Sequence, residues 1–283
     1  MLSGVSLLGS ESPSVDAPQM QAMGASQSLR KLAKSCVVLL LGRETRPRMI
    51  VRGLAAGYRI VVSPEEHLGC LIGTTEVHLL RAIRRYVGEG DTVYDIGANI
   101  GYISLSLAKR VGPKGRVLAF EPLPGNAKLL RQAIAANRLA NVEVFEAAAS
   151  DKRGEAVLRV ADNPSMASLV WHRGDPVAAQ HIVKTVAIDE LVQSGQIAPP
   201  KFVKIDVEGA EGQVLLGMLH TIATARPVIF VECSDAGRET VWRLLSELHY
   251  RCQSAITGKG IASFEDYRHS DFLWLPGPER TSS

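Results

Sequence analysis

The sequence lacks the cysteine pattern of a disulfide-stabilised or zinc-binding protein. Its four cysteines are scattered, with no C-x-x-C pair. Disulfide frameworks and zinc sites both depend on such closely spaced ligands. We therefore expect neither, assign no metal from the sequence, and predict a cytoplasmic protein, because unpaired thiols suit a reducing compartment.

Long hydrophobic runs are missing as well. The longest apolar run near the N-terminus is CVVLLLG, residues 36–42, whereas a membrane-spanning helix needs about 20 apolar residues. Polar and small residues precede this run, and no small-residue cleavage site follows it. The sequence therefore predicts neither a membrane span nor a secretory signal.

A large excess of charge of one sign is also absent. The net charge is +3, from 32 Lys and Arg residues against 29 Asp and Glu residues. So small an excess neither demands nor excludes a nucleic-acid partner. Arg81, Arg84 and Arg85 lie on or beside the polar face of a predicted amphipathic helix, where exposure to solvent explains them. We expect no nucleic-acid partner.

What the sequence does contain is a regular alternation of strand and helix patterns from residue 91 onward. Seven apolar segments are predicted strands, at 92–96, 116–122, 142–150, 201–209, 227–234, 251–256 and 271–275. Helical patterns lie between them at 100–110, 125–137, 210–219 and 237–249. This alternation predicts an α/β, Rossmann-like fold with a doubly wound, mostly parallel seven-stranded sheet.

The composition also predicts three regions along the chain. Residues 1–27 are rich in Ser, Gly, Pro, Met and Gln without periodicity, which predicts a disordered tail. Residues 28–88 are predicted to form an N-terminal extension of short helices and strands. Residues 89–278 are predicted to form the ligand-binding domain, with the ligand at the carboxyl ends of the parallel strands.

The first predicted strand runs into a glycine-containing turn, within VYDIGANIGYISLSLAKR at 93–110. The dinucleotide fingerprint G-x-G-x-x-G requires glycines where this sequence has Asn99 and Tyr102. The turn instead has the pattern D-x-G-x-N-x-G, formed by Asp95, Gly97, Asn99 and Gly101. An acid at the end of the strand suits a cationic ligand better than a pyrophosphate.

S-Adenosylmethionine is a ligand of this kind, because it carries an ammonium and a sulfonium and no phosphate. The two glycines would let the main chain approach its amino-acid part closely. Asp95 would hold the ammonium directly or through water. The alternative is that the glycines only close a tight strand-to-helix turn.

Residues at the ends of the next two strands complete a predicted adenosine site. Glu121 follows Gly97 by 24 positions, and an acid at this strand end can accept hydrogen bonds from both ribose hydroxyls. The third strand ends in AAASD, where Ala148 and Ala149 can pack against an adenine and Ser150 or Asp151 can hydrogen-bond its edge. An ordinary surface loop explains each residue taken alone, but the set predicts a cofactor site.

The fourth predicted strand ends in KIDVEGAE, residues 204–211. Alternation along an extended strand places Lys204, Asp206 and Glu208 on one face, where a methyl acceptor would meet the sulfonium. We predict Asp206 and Glu208 as catalytic residues, since a carboxylate can take the proton of the acceptor. The alternative for Glu208 and Glu211 is that they only stabilise the N-terminus of the following helix.

These motifs resemble those of the FkbM-type S-adenosylmethionine-dependent methyltransferases. The resemblance rests on VYDIGANIGYISLSLAKRVGPKGRVLAFEPLPGNAKLL, NVEVFEAAASDKRGEAVL and KFVKIDVEGAEGQVLLG, and it extends over residues 50–275. It implies a class I methyltransferase fold, S-adenosylmethionine as cofactor and, usually, O-methylation. It also implies that Glu76 closes over the cofactor, although GTTEVH departs from the commoner family pattern at this point.

The sequence as a whole predicts an S-adenosylmethionine-dependent methyltransferase. More narrowly, it predicts an O-methyltransferase whose partner is a hydroxyl of a sugar, a polysaccharide or a natural-product small molecule. Two alternatives stay open: a non-catalytic protein that binds S-adenosylmethionine, and a nucleotide-dependent dehydrogenase with an atypical glycine turn. The sequence specifies neither the individual acceptor nor the oligomeric state.

Overall fold

A computed structural model describes residues 37–160, 167–168, 179–235, 237–267 and 270–278 of the chain. The predicted disordered tail at 1–27 lies outside the described residues. In chain order the strands are β1 (Arg46–Met49), β2 (Arg59–Val62), β3 (Thr92–Ile96), β4 (Arg116–Phe120), β5 (Val142–Phe145), β6 (Ala148–Ala149), β7 (Gly154–Val160), β8 (Ala167–Ser168), β9 (Ala179–Val186), β10 (Phe202–Ile205), β11 (Val228–Glu232), β12 (Tyr250–Ser254), β13 (Gly260–Ile261) and β14 (Asp271–Pro276). The helices are α1 (Pro64–Ile72), α2 (Val77–Tyr86), α3 (Tyr102–Val111), α4 (Pro124–Ala136), α5 (Ile188–Gln193), α6 (Glu211–Leu216), α7 (Leu219–Ala225) and α8 (Arg238–Glu247).

The central sheet has the spatial order β13-β12-β14-β11-β10-β3-β4-β5. Strands β11, β10, β3, β4 and β5 are parallel, whereas β14 pairs antiparallel with β11 and β12 pairs antiparallel with β14. These are the seven predicted strands, and the two-residue β13 adds an eighth at the edge. The predicted α/β fold with a doubly wound, mostly parallel sheet is confirmed.

Helices cover both faces of this sheet, which explains why its central strands are almost continuously apolar. On one face, Val93 and Phe202 pack with buried residues of α2 and α3. On the other face, Tyr94 and Val203 pack with buried residues of α5 to α8. Strand alternation therefore distributes successive residues of β3 and β10 between two hydrophobic cores.

Two predicted elements are divided in the structure. The strand predicted at 142–150 ends at Phe145, and Ala148–Ala149 form β6, which pairs with β9 in a separate four-stranded sheet. The helix predicted at 210–219 is interrupted between α6 and α7. Gly217 lies at this break because a Cβ there would be 1.8 Å from the carbonyl oxygen of Ser150. Contacts with another element, which periodicity does not report, set both boundaries.

Within the described ranges, no helix has both the length and the apolar character that crossing a membrane requires.

Candidate active site

A cavity of about 360 Å³ lies at the carboxyl ends of β3, β4 and β10. Residues of α1 and of the turn before α2 form its other side. Seven of the predicted site residues line it: Glu76, Gly97, Asn99, Glu121, Ala148, Asp206 and Glu208. The sequence-derived candidates therefore converge on one place, because the carboxyl ends of neighbouring parallel strands meet at the same edge.

Three predicted cofactor residues, Asp95, Gly101 and Asp151, do not line this cavity. Asp95 is completely buried beneath it. Gly101 lies at a close helix contact, since a Cβ there would be 2.4 Å from Cδ1 of Leu130 on α4. Asp151 is exposed, and its carboxylate accepts a hydrogen bond of 3.1 Å from the hydroxyl of Ser150. The structure therefore places these three around the cavity and not on its surface.

All five backbone N–H groups of the glycine turn, residues 97–101, donate hydrogen bonds to acceptors within the protein. The N–H groups of Gly97 and Ala98 both donate to the carbonyl oxygen of Phe120, and that of Gly101 donates to Ala98. The remaining two amides, at positions 99 and 100, donate to the side-chain oxygens of Glu121 and Asn99 respectively. A pyrophosphate site needs unpaired N–H groups at this turn. The turn therefore offers none of the five amides from 97 to 101 to a phosphate.

Backbone conformation explains the residue types at this turn. Gly97 has φ +80°, and a Cβ there would lie 1.8 Å from the carbonyl oxygen of Asp206. Asn99 has φ +50°, a left-handed conformation that Asn adopts more readily than most residues. Gly97 therefore allows β3 and β10 to remain adjacent at the cavity floor.

Glu121 is fixed by its neighbours at the end of β4. One carboxylate oxygen accepts a 2.7 Å hydrogen bond from the N–H of Asn99, and the other accepts a 2.9 Å bond from the N–H of Leu123. Burial raises the pKa of this carboxyl, and the two backbone hydrogen bonds oppose that effect. Glu121 thus links the glycine turn to the start of α4 while its side chain lines the cavity.

Lys204 connects the two aspartates predicted from the first and fourth strands. Its Nζ lies 3.4 Å from Oδ1 of Asp95 and 3.2 Å from Oδ2 of Asp206, and it donates a 2.6 Å hydrogen bond to the carbonyl oxygen of Gly97. Burial lowers the pKa of this ammonium, but the charges of Asp206 and Asp95 outweigh burial and raise it overall. Asp95 also accepts a 2.5 Å bond from Ser104. The protein itself therefore supplies the cation beside Asp95.

The acids that follow β10 have different surroundings. Asp206 is half-buried in the cavity wall, whereas Glu208 is exposed at the cavity rim with φ +50°. Burial and the nearby charges of Asp206 and Glu211 raise the pKa of Glu208. Glu211 is completely buried, and its carboxylate accepts hydrogen bonds from the N–H of Gly209 and from Ser234. Glu211 therefore ties together the two loops that follow β10 and β11.

From the sequence, Glu232 in the apolar strand VIFVECS could either line this cleft or be buried with a local partner, and the structure places it in the cavity lining at the end of β11. Other lining residues were not predicted. Tyr102 lines the cavity from the start of α3, with a buried hydroxyl that has no hydrogen-bond partner among the described residues. Helix α1 contributes Glu66 and Cys70. A signal for α1 exists, because Ser63 is followed by Pro64 and two glutamates, which is typical of a helix N-terminus.

The lining of the cavity is strongly acidic. Within the described ranges, Lys204 is the single Lys or Arg that lines it. Six carboxylates line it: Glu66, Glu76, Glu121, Asp206, Glu208 and Glu232. Such a lining attracts cations and opposes anions. The donor set fits the ammonium and sulfonium of S-adenosylmethionine, and the paired turn amides do not fit a dinucleotide.

The strand order and this site define a class I methyltransferase, whose cofactor is S-adenosylmethionine. The chain belongs to the FkbM methyltransferase family, because the model of the methyltransferase FkbM domain matches residues 95–252. The family predicted from the sequence is confirmed.

Several known proteins are similar to part of this chain. AglP, a hexuronic acid methyltransferase of Haloferax volcanii, is 29% identical over 173 residues, which cover 61% of this chain and 68% of the relative. Protein-L-isoaspartate O-methyltransferase 1 of Arabidopsis thaliana is 24% identical over 154 residues, or 52% of this chain and 58% of the relative. The crystal structure of methyltransferase FkbM from Methylobacillus flagellatus has a TM-score of 0.44 and 19% identity over 65% of this chain. The matched part covers 43% of that Methylobacillus chain.

Proposed function

We propose that this methyltransferase transfers the methyl group to a hydroxyl of a carbohydrate or a natural-product small molecule. The observation that carries the proposal is the acidic cavity, in which Asp206 and Glu232 lie beside the glycine turn. The similarity to a hexuronic acid methyltransferase supports a carbohydrate acceptor. The O-methyltransferase named among the relatives is compatible with an oxygen acceptor.

Each residue that we propose to hold the cofactor would contact a particular part of that ligand. Glu121 would accept hydrogen bonds from the ribose hydroxyls with the lone pairs that its backbone bonds leave unused. Ala148 and Asn99 would border the adenosine, and Gly97 with Glu76 would border the amino-acid part. Asp95 would act through Lys204, since it has no surface in the cavity. When bound, S-adenosylmethionine supplies an electrophilic methyl group.

The proposed catalytic residues are Asp206 and Glu208. Asp206 would accept a hydrogen bond from the acceptor hydroxyl and hold its oxygen in line for attack, which is the main requirement of a displacement reaction. Lys204 would keep the Asp206 carboxylate in position, because its Nζ lies 3.2 Å from Oδ2. Glu208 would contact the acceptor from the cavity rim.

The electrostatics favour a hydroxyl acceptor over a carboxylate acceptor. A hexuronic acid offers both groups to a methyl donor. The carboxylate of an acceptor, placed beside Asp206 and Glu232, would be repelled by their like charges. A neutral hydroxyl avoids this repulsion, and it needs a group that removes its proton, for which a carboxylate serves.

Two experiments test the proposal: a ligand-binding measurement comes first, and analysis of the methylated product follows. Calorimetric titration should give binding of S-adenosylhomocysteine and none of NAD, whereas binding of NAD alone would contradict the cofactor site. Methyl-labelled S-adenosylmethionine is then offered with a panel of uncharged methyl hexosides and methyl hexuronosides. An ether product keeps its label in mild base, and a carboxyl methyl ester releases it as methanol. Ester formation would contradict the hydroxyl acceptor, and binding without any transfer would favour a non-catalytic protein.

Replacing Glu121 with alanine should weaken binding of S-adenosylhomocysteine about 5- to 150-fold, or by about 1–3 kcal/mol. The reason is that the ribose hydroxyls would lose the carboxylate that accepts their hydrogen bonds. Calorimetric titration measures this. The control is Glu146→Ala, which removes an exposed glutamate that pairs with Arg131 on the surface and should leave affinity unchanged. Equal affinity of Glu121→Ala and the wild type would contradict the role of Glu121.

Replacing Asp206 with asparagine should keep cofactor binding and reduce turnover at least about tenfold, because the amide no longer orients the acceptor as a charged hydrogen-bond acceptor. Asparagine retains an oxygen toward Lys204, and so the fold should be preserved. The measurements are calorimetry with S-adenosylhomocysteine and methyl transfer to the best acceptor of the panel. Loss of cofactor binding would assign Asp206 to the cofactor site instead.

A further inference from the structure

Glu232 occupies a distinctive position at the end of β11. Val231 pairs in register with Ile205 of β10, and Ile205 pairs with Ile96 of β3. The next residues along the three strands are therefore neighbours: Glu232, Asp206 and Gly97. Because in-register residues of parallel strands point to the same face, Glu232 and Asp206 lie side by side on the cavity surface beside the glycine turn.

Among the described residues Glu232 has no hydrogen-bond or ion-pair partner of its own, a property that it shares with Glu76 in the cavity lining. Glu121 and Glu211 accept backbone hydrogen bonds, and Asp206 pairs with Lys204. Within the part of the chain that the structure describes, Glu232 accepts no hydrogen bond and forms no ion pair, yet it is half-buried and lines the cavity. Its carboxylate oxygens are therefore available to a ligand.

Four charged groups face Glu232. Lys204 belongs to β10 and Asp206 directly follows this strand, Glu76 precedes α2, and Asp271 of β14 pairs with Glu232 in register. Burial is the largest cause that raises the pKa of Glu232, the three acids add to it, Lys204 opposes it, and the result is about 8. A carboxyl of this kind exchanges its proton near neutral pH, which suits a general base.

We propose that Glu232 is the general base of the methyl transfer, taking the proton of the acceptor hydroxyl. The inference rests on the proposed function, since only an acceptor with an O–H bond needs such a base. As the acceptor oxygen forms its bond to the methyl carbon, the carbon–sulfur bond breaks and its electron pair stays on sulfur. The O–H proton moves to a carboxylate oxygen of Glu232 and leaves to solvent when the product departs.

The two neighbouring carboxylates, Asp206 and Glu232, have different roles in the proposed reaction. The Asp206 carboxylate is held in place by Lys204, whose Nζ lies 3.2 Å from Oδ2, and this suits it to accept a hydrogen bond from the acceptor hydroxyl. Within the described ranges Glu232 forms no ion pair, and three acids, Asp206, Glu76 and Asp271, face it. Asp206 therefore orients the hydroxyl, and Glu232 removes its proton.

A first experiment needs neither cofactor nor acceptor. The folded protein binds the Glu232 proton more tightly than the unfolded chain does, and so deprotonation destabilises the fold as pH rises. The melting temperature of Glu232→Gln, relative to the wild type, should therefore increase between about pH 5 and pH 9. The control Glu247→Gln, on the exposed face of α8, should differ from the wild type by the same amount throughout. A pH-independent difference for Glu232→Gln would overturn the proposal.

A second experiment measures turnover against pH with the best acceptor of the glycoside panel. Glu232→Gln should bind S-adenosylhomocysteine normally, lose about 10²-fold or more in turnover, and lose the rise of the wild-type rate toward alkaline pH. Asp271→Asn should keep turnover and move that rise to lower pH, because it removes a negative charge that faces Glu232. Asp206→Asn should lower the rate and also move the rise to lower pH, because the charge of Asp206 faces Glu232 as well.

The outcomes separate this inference from the function on which it rests. Wild-type protein that methylates no hydroxyl acceptor contradicts the proposed function, and the base assignment falls with it. Wild-type protein that methylates a hydroxyl, with Glu232→Gln equally active, contradicts the base assignment alone. An unchanged pH profile for Asp271→Asn would likewise overturn it.

Discussion

Replacing Gly97 with alanine is expected to lower the free energy of unfolding by about 2–5 kcal/mol and to abolish cofactor binding. Two costs add at this position. A φ of +80° costs an L-residue about 1–2 kcal/mol. The new Cβ would also lie 1.8 Å from the carbonyl oxygen of Asp206, and relieving such overlap costs about 1–3 kcal/mol more. Because the overlap separates β3 from β10, the loss reaches the cavity floor.

Chemical denaturation and calorimetric titration with S-adenosylhomocysteine measure the two effects. Gly195→Ala is a matched control, since Gly195 also has positive φ, at +72°, but has no atom within 4 Å of its Cβ position. Gly195→Ala should lose only the stability that the positive φ costs, and it should bind S-adenosylhomocysteine normally. Equal losses of stability in the two variants would mean that the strand junction adapts to the extra methyl group.

Replacing Lys204 with methionine is expected to destabilise the fold by about 3–5 kcal/mol, because it leaves a buried charge uncompensated. Asp95 is completely buried, and Lys204 is the cation beside it. The raised pKa of Lys204 means that its contribution is fully present below the ordinary pKa of lysine and is lost only as pH rises through the higher folded value. Titration of Lys204 should therefore not change the stability of the wild type across neutral pH.

Urea unfolding of the variant at several neutral pH values measures this loss. Lys201→Met is the control, since Lys201 is exposed just before the same strand and should change stability by no more than about 0.5 kcal/mol. Adding Asp95→Asn to Lys204→Met should recover part of the loss, because it removes the unpaired charge. No recovery would show that the loss comes from packing of the lysine side chain.

Local pattern was sufficient to predict the fold class and seven of the residues that line the cavity. The strand-turn-helix around Gly97 has its periodicity and turn residues within one short segment. Glu121 and Asp206 each end an apolar strand, and the carboxyl ends of parallel strands must meet at one edge. Residues far apart in the chain were therefore predictable as neighbours without any knowledge of their contacts.

Tertiary structure alone decided what those neighbours do to one another. Asp95 was expected to face the ligand, but register between β3 and β10 brings Lys204 to it and buries it. Glu232 is one acid in an apolar strand until pairing with β10 and β14 surrounds it with other acids. Charge interactions depend on distances across strands, which periodicity along one strand does not contain. The local pattern was thus sufficient to locate the site, whereas the pairing of the strands determined which charged groups surround each acid.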